Sequence, residues 1–280
     1  MANFIEQTIK SVIGQEYPNL EYIIIDGKST DNTLSIINKY KDKINTIISE
    51  PDNGQYDAIQ KGMNMATGEV LAWLNADDVY FPWTLKRVAK IFSSYPEIKW
   101  ISGIAAFLDE EGDLTNIYNT VNARPSNLIS KGFFRHGIYG YLQQESMFWR
   151  RELWESTGGL NLSYKLAGDF ELWTRFARIS EHVTIGLPLS GFRMRAESRS
   201  KIQENKYFTE VMQVYRKLSR KQQLIHKVAS TNQIMNKLIR LFVWKKALVY
   251  YFSISKQKWI LEKRRRPVSS VSFSQLLLEK

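Results

Sequence analysis

Three short acidic clusters in this 280-residue sequence hold the side chains best suited to chemistry. The first is Asp77-Asp78, which follows Asn75-Ala76 at the end of an apolar run. Adjacent carboxylates repel, so ionising both calls for a bound cation or an exposed site. Oxygen-only ligands suit Mg²⁺ or Mn²⁺, ions that bridge protein carboxylates to phosphate oxygens. A solvated turn that caps the helix after Pro82 accounts for the same pair. The second cluster is Asp26-Gly27-Lys28-Ser29-Thr30-Asp31. A glycine-containing loop between strand and helix can set N–H groups and a carboxylate around a nucleotide. Ordinary turn and N-cap chemistry uses the same residue types. The third is Asp169, within Ala167-Gly168-Asp169-Phe170-Glu171-Leu172-Trp173. It is either a helix cap or a general base beside an aromatic wall that keeps its basicity useful.

Other chemistries are narrowed by what the sequence lacks. There is no cysteine, which excludes disulfides, thiolate zinc sites and a cysteine nucleophile. The three histidines, His136, His182 and His226, are far apart and do not suggest a metal site. Neither GxGxxG nor GxxxxGK[ST] occurs, so dinucleotide and P-loop chemistry lack support.

The elements that must position these clusters follow from periodicity. Phe4, Ile5, Thr8, Ile9, Val12 and Ile13 predict an amphipathic helix, ended by Pro18-Asn19. Leu20–Ile25 reads as a buried strand that delivers Asp26, and Thr30 or Asp31 caps a helix to about Lys41. A short strand near Thr46–Ile48, a helix from Tyr56 to Ala66 and a strand Val70–Leu74 follow, the last delivering Asn75–Asp78. Pro82 suits the first turn of the next helix. Strand alternating with helix predicts an α/β fold, its mostly parallel sheet flanked by helices. Ligands gather at the carboxyl ends of such strands, where Asp26 and Asp77 both fall. Short strands are expected from Trp100 to Tyr118, helices at Arg150–Ser156 and Gly168–Arg178, and a strand at Leu187–Met194. Beyond Ser200 the pattern reads as helical to about Leu261.

Charge divides the chain. Its net charge is +11, yet residues 1–205 hold 22 Lys and Arg against 25 Asp and Glu, while residues 206–280 hold 17 against 3. Two parts are therefore expected: a domain at 1–205 and a basic amphipathic helical tail at 206–280. In the tail, Leu238, Leu241, Phe242, Lys245 and Val249 illustrate mixed faces, and Lys263–Arg266 add a basic cluster. Such a helix fits an anionic membrane surface, or a solvated pair packed on the domain. No RRM- or KH-like signature supports a nucleic-acid partner. The start lacks the pattern of a signal peptide, and no apolar run reaches the length of a membrane span. A cytoplasmic protein, peripheral at most to the inner face of the membrane, is expected.

The segments LEYIIIDGKSTDNT (20–33), SEPDNGQYDAIQKGMNMATGEVLAWLNADD (49–78), FWRRELWESTGGL (148–160) and AGDFELWTRF (167–176) occur in that order. Together they resemble the family 2 glycosyltransferases of GT-A fold, particularly bacterial members that build surface polysaccharides. The resemblance spans about residues 3–200. It implies a GT-A-like nucleotide-sugar-binding fold and transfer of a sugar, with inversion, from a nucleoside-diphosphate sugar to an acceptor hydroxyl. The acceptor would be a glycan or a lipid-linked sugar. Asp26 would contact the base or ribose. Asn75–Asp78 occupies the place of the family's DxD motif, with Asn75 in place of the first acid. Asp77 would be the principal ligand of a divalent cation (Mn²⁺ or Mg²⁺) on the diphosphate, with Asp78 nearby for sugar or metal. Asp57 and Lys61 are candidate donor contacts. Asp169 matches the catalytic base. Glu171 and Trp173 would shape the acceptor pocket, and Gln143-Gln144-Glu145, with Gln144 as a candidate contact, precede the segment lining it.

Two departures stand against the match. The family's first strand, normally in the middle of the sheet, and its Thr-x-Tyr-Asn-like turn precede the helix that begins here at Phe4. Losing such a strand would strip hydrogen-bond partners from its neighbours. A misassigned or shortened start is expected, the alternative being a natural remnant with impaired donor binding, a scaffold or binding subunit. The second departure is Arg195, where many relatives carry a metal-ligating His. An arginine cannot ligate a cation, but its fixed charge could contact the diphosphate. A nucleotidyltransferase would need a basic phosphate-contacting motif near the start, which the sequence does not show.

Overall fold

Apolar residues spaced three or four apart make the helices, because that spacing places them on one face. The computed structural model describes residues 1–118, 120–135, 139–197, 202–216, 219–231, 244–253, 255–265 and 267–269. In α1 (Ile5–Ile13) the buried stripe is Ile5, Thr8, Ile9 and Val12. The other helices are α2 (Thr33–Asn38), α3 (Gln55–Met65), α4 (Thr84–Ser94), α5 (Ser126–Ile129), α6 (Arg151–Thr157), α7 (Gly168–Ile179), α8 (Glu204–Arg216) and α9 (Arg220–Thr231). The strands are β1 (Ile23–Asp26), β2 (Thr46–Ser49), β3 (Val70–Leu71), β4 (Val79–Tyr80), β5 (Trp100–Ser102), β6 (Ala106–Leu108) and β7 (Leu114–Ile117). They continue with β8 (Thr120–Val121), β9 (Met147–Arg150), β10 (His182–Ile185), β11 (Ser190–Arg193), β12 (Ala247–Ser253), β13 (Lys258–Arg264) and β14 (Val268–Ser269). Among the described residues, no helix is long and apolar enough to cross a membrane.

The α/β class expected from the alternation is the one observed, but the sheet is mixed rather than mostly parallel. Six strands run in the order β13-β12-β10-β5-β9-β3. β10 lies parallel to β12 and β5, whereas β9 enters antiparallel between β5 and β3. All four residues of β9 (MFWR) are buried, as a strand inside a covered sheet requires. A second sheet, β4-β11-β6-β7, carries Arg193 at the end of β11. β1 and β2 pair parallel with each other, from Ile23 beside Thr46 to Asp26 beside Ser49. The pair stands apart from the six-stranded sheet, whose edge is β3. Glu21 links the two: its Oε2 accepts the N–H of Thr67 at 2.7 Å and of Gly68 at 3.1 Å.

The chain after residue 205 corrects the expectation of one helical tail. Helix is present in α8 and α9, but Ala247–Ser253 and Lys258–Arg264 form an antiparallel hairpin that extends the central sheet. Ala247, Val249, Tyr251 and Ser253 alternate along β12 on one buried face. The basic residues of β13 lie on an edge strand, where charge discourages further strand addition. Lys263 pairs with Glu181 at 2.8 Å and Arg264 with Glu262 at 2.5 Å. Short apolar runs carry both helical and strand periods, and here the unpaired edge of β10 decides in favour of strand. Leu238, Leu241 and Phe242 lie outside the described residues.

Four tryptophans form the centre of the larger core cluster. Trp73 stacks on Trp173 at 5.5 Å and meets the edge of Trp149 at 5.2 Å, while Trp100 stacks on Trp173 at 6.1 Å. They clamp β3, β5, β9 and α7 together beneath the acidic loops. Trp149 is fully buried among Trp73, Trp154, Trp173 and Phe176. Trp149→Ala should therefore lower the unfolding free energy by about 3–5 kcal/mol, read from the urea midpoint. A loss below about 1 kcal/mol would contradict this packing.

Candidate active site

Asp26 ends β1, and its carboxylate is turned into its own loop. Oδ1 accepts the Ser29 hydroxyl at 2.5 Å, and Oδ2 accepts the Ser49 hydroxyl at 2.6 Å and the Ser29 N–H at 3.0 Å. Burial raises its pKa, but these hydrogen bonds to the anion outweigh burial and leave it below the ordinary value. Lys28 takes a left-handed conformation (φ 60°) to close this turn. Gly27 lets the Asp52 side chain approach closely, since a Cβ there would sit 2.3 Å from Asp52 Oδ2. Turn chemistry thus describes the present partners of Asp26. Asp57 and Lys61 lie on α3. Asp57 Oδ2 accepts the Asn53 N–H at 2.9 Å, and Lys61 bridges Glu50 at 3.0 Å and Asp57 at 3.5 Å.

The Asn75–Asp78 loop is fixed from both sides. Gln55 donates to Asn75 Oδ1 at 2.6 Å, Asn75 donates to Asp78 Oδ2 at 3.0 Å, and the Arg193 N–H meets Asp78 Oδ1 at 3.0 Å. Asp78 is 1% exposed, and burial, reinforced by the charge of Asp77, pushes its pKa far above the carboxylate range. Arg193, equally buried, donates through Nε to the Asp77 carbonyl at 2.7 Å and through Nη1 to the Glu110 carbonyl at 2.7 Å. Its Nη2 meets Gln7 Oε1. Arg195, two residues on, approaches Asp77 Oδ2 with Nε at 2.9 Å and Nη2 at 2.6 Å.

These residues do not fit a divalent cation as they stand. The one partly accessible carboxylate, Asp77, is occupied by a guanidinium, and both oxygens of Asp78 accept hydrogen bonds within the protein. Among the described residues, no group of three or more His, Asp or Glu side chains could hold a metal. The expectation of Asp77 as the principal ligand meets an ion pair instead.

Asp169 sits in the first turn of α7, half-buried. The Tyr56 hydroxyl from α3 lies 3.1 Å from Asp169 Oδ1 and 3.0 Å from the Leu166 carbonyl, and it accepts the Asp169 N–H at 3.3 Å. Gly168 permits this approach, since a Cβ there would meet the Tyr56 ring at 2.8 Å. Burial raises the Asp169 pKa, partly offset by the hydrogen bonds from backbone N–H and Tyr56. Helix α8 supports the loop below: Glu210 accepts three successive N–H groups, from Lys165, Leu166 and Ala167, at 2.8–3.0 Å. Tyr207, Val211 and Val214 pack against Tyr164 and Phe170.

Two expected acceptor contacts are placed elsewhere. Glu171 is two residues beyond Asp169, which turns it to the far side of the helix. There it binds Arg175 Nη2 at 2.7 Å, and Arg175 holds the carbonyls of Thr157 and Gly159. Trp173 is 1% exposed, within the tryptophan core. Gln144 donates to the Trp73 carbonyl at 2.7 Å and so pins the strand leading to Asn75. Its neighbour Glu145, to which the resemblance assigned no role beyond preceding the acceptor-lining segment, is 2% exposed. Its Oε1 finds no hydrogen-bond partner among the described residues. Burial, then the charges of Asp78, Asp169 and Asp77, hold its pKa well above the usual range. Glu145 thus lies electrostatically between the acidic loop and Asp169. The sequence signal for it was a lone carboxylate against the apolar run MFW.

Residues 2–156, more than half of the chain, match the family described as Glycosyl transferase family 2. A PGL/p-HBAD biosynthesis glycosyltransferase of Mycobacterium bovis is 28% identical over 169 residues, 58% of this chain and 60% of that protein. The chain thus spans about 60% of the length of such relatives. An uncharacterized glycosyltransferase of Nostoc is 37% identical over 97 residues, covering 33% of this chain and 30% of its own. Among solved structures, S. aureus TarS 1–349 in complex with UDP-GlcNAc has a TM-score of 0.59 at 16% identity, covering 86% of this chain and 72% of that one. The mannosyltransferase PcManGT of Pyrobaculum calidifontis, in complex with GDP-Man and Mn²⁺, has a TM-score of 0.56 at 20% identity, covering 78% and 62%. These two likenesses are in fold, while the sequence match over residues 2–156 carries the assignment: the chain belongs to glycosyl transferase family 2.

Proposed function

We propose that this chain transfers a sugar from a nucleoside-diphosphate sugar to an acceptor hydroxyl with inversion, in assembly of a bacterial surface glycan. The observation that carries the reading is Asp169: a half-buried carboxylate of raised basicity oriented by Tyr56, its charge acting together with those of Asp77 and Asp78 on the buried Glu145. Fold neighbours bound to UDP-GlcNAc and GDP-Man support the donor class.

Asp169 accepts the proton of the acceptor hydroxyl as its oxygen attacks the anomeric carbon. The bond from that carbon to the diphosphate oxygen breaks, and the nucleoside diphosphate leaves with the electron pair. One displacement on the opposite face inverts the configuration. Tyr56 orients the base, and the buried wall of Trp73 and Trp173 backs its helix. A glycan or lipid-linked sugar is the acceptor class this role calls for.

Asp169→Asn should lower nucleoside-diphosphate release from UDP-GlcNAc or GDP-mannose by about 10²–10⁴-fold while leaving nucleotide affinity within about threefold. Loss of nucleotide affinity instead would contradict the role of base. Full activity in the variant would contradict it equally, and a parent chain that binds nucleotide without releasing product would favour the alternative of a catalytically impaired scaffold or binding subunit.

The pH dependence carries a sign. A base must be deprotonated, so kcat/KM should rise with pH through the raised Asp169 pKa, above the ordinary value of about 4. The Tyr56 hydroxyl stabilises the carboxylate anion, so Tyr56→Phe raises that pKa and moves the acid limb to higher pH. A limb that stays or moves to lower pH would show that another group controls it.

A further inference from the structure

Charge at the acidic loop is balanced in an unusual way for a site that must hold a diphosphate. Divalent cations need several oxygens with free lone pairs, and this loop offers few. Asn75 Oδ1 is used by Gln55, the Asp78 oxygens by Asn75 and the Arg193 N–H, and Asp77 Oδ2 by two nitrogens of Arg195. The side chains of Arg195 and Asp77 are 16% and 14% exposed, so solvent screens this pair little.

The arrangement is built rather than incidental. Arg195 lies over the Phe4 ring at 4.9 Å from its centroid, and Arg193 lies over the same ring at 5.2 Å. Arg193 is locked by carbonyls of Asp77, Asp109 and Glu110 and by Gln7, which fixes the exit of β11 against the loop. The Ala196 N–H is held by Glu110 Oε1 at 3.1 Å, just beyond Arg195. Residues on both sides of Arg195 are thus pinned, and its guanidinium stays beside Asp77. Asp77 engages only part of the guanidinium fork, and the remaining N–H donors suit phosphate oxygens.

We propose that Arg195 takes the place of the divalent cation: its guanidinium, held by Asp77 and Phe4, meets the diphosphate of the donor, and donor binding needs no metal. This rests on the reading of the donor as a nucleoside-diphosphate sugar. Asp77 is then a positioning residue whose negative charge opposes the incoming anion. A metal ligand would act in the opposite direction, since its removal would weaken binding.

Isothermal titration of the full chain with UDP and GDP, in EDTA and in Mn²⁺, separates these cases. Affinity in EDTA is expected within about threefold of that in Mn²⁺, and Mn²⁺ alone should give no binding heat. In EDTA, Arg195→Ala should weaken nucleotide binding about tenfold or more. Arg195→Lys keeps the charge without the fork and should lose less, which guards against a folding defect in the alanine variant. Asp77→Asn keeps an oxygen that accepts from Arg195 and drops the opposing charge, so it should bind as tightly as the parent or more so. Binding that requires Mn²⁺, unchanged affinity in Arg195→Ala, a lysine variant no better than alanine, or about tenfold loss in Asp77→Asn would each overturn the proposal while leaving the donor reading intact. Absence of binding by either nucleotide, with or without Mn²⁺, would overturn the donor reading and this inference with it.

Discussion

Arg193 brings a permanent positive charge into the interior, and the geometry of the acidic loop depends on how that charge is satisfied. Its side chain donates to the carbonyls of Asp77, Asp109 and Glu110 and to Gln7. The same residue's N–H binds Asp78, whose own carbonyl accepts the Thr8 hydroxyl at 2.8 Å. A buried charge without such partners is strongly destabilising. Helix α1, the Asn75–Asp78 loop and the turn between β6 and β7 therefore form one unit with the end of β11, because each of the three supplies acceptors to Arg193, the last residue of that strand. Arg195 inherits its position from this unit.

The second support comes from the far end of the sequence. Glu210 on α8 gathers three successive N–H groups just before Asp169, and its charge adds to burial in raising the pKa of that base. β12 and β13 extend the central sheet beside β10, whose other neighbour β5 carries Trp100 of the tryptophan core. Residues that looked like an appendage by charge thus help to build the site. Net charge constrains partners and solubility, not fold.

What was legible in the sequence had short range. Helical stripes, the strands ending in Asp26 and the glycine-marked turns follow from local periodicity, and the structure has them within a few residues. Asp169 was legible as the start of a helix, but the Tyr56 hydroxyl that orients it comes from 113 positions away. The burial of Trp173 also depends on distant residues, since Trp73, Trp100 and Trp149 meet it only once the sheet is assembled. Glu171 was misplaced for a local reason, because a step of two residues crosses the helix axis. The hairpin from Ala247 was hidden because its strand identity depends on β10, a partner the local pattern does not contain.

Electrostatics joins the two halves of the site. Glu145 feels the charges of Asp78, Asp169 and Asp77, as the causes of its raised pKa show. Four full negative charges there would repel a diphosphate and raise the cost of burying each carboxylate. Holding Glu145 and Asp78 toward their protonated forms removes charge from the interior without removing the groups. Arg195 neutralises Asp77 at the rim. Asp169 is left as the half-buried carboxylate whose tyrosine partner favours the anion, which is the state a base requires. The same burial that raises the pKa of Asp78 and Glu145 thus raises the basicity of Asp169, so acid–base function and anion tolerance arise from one environment.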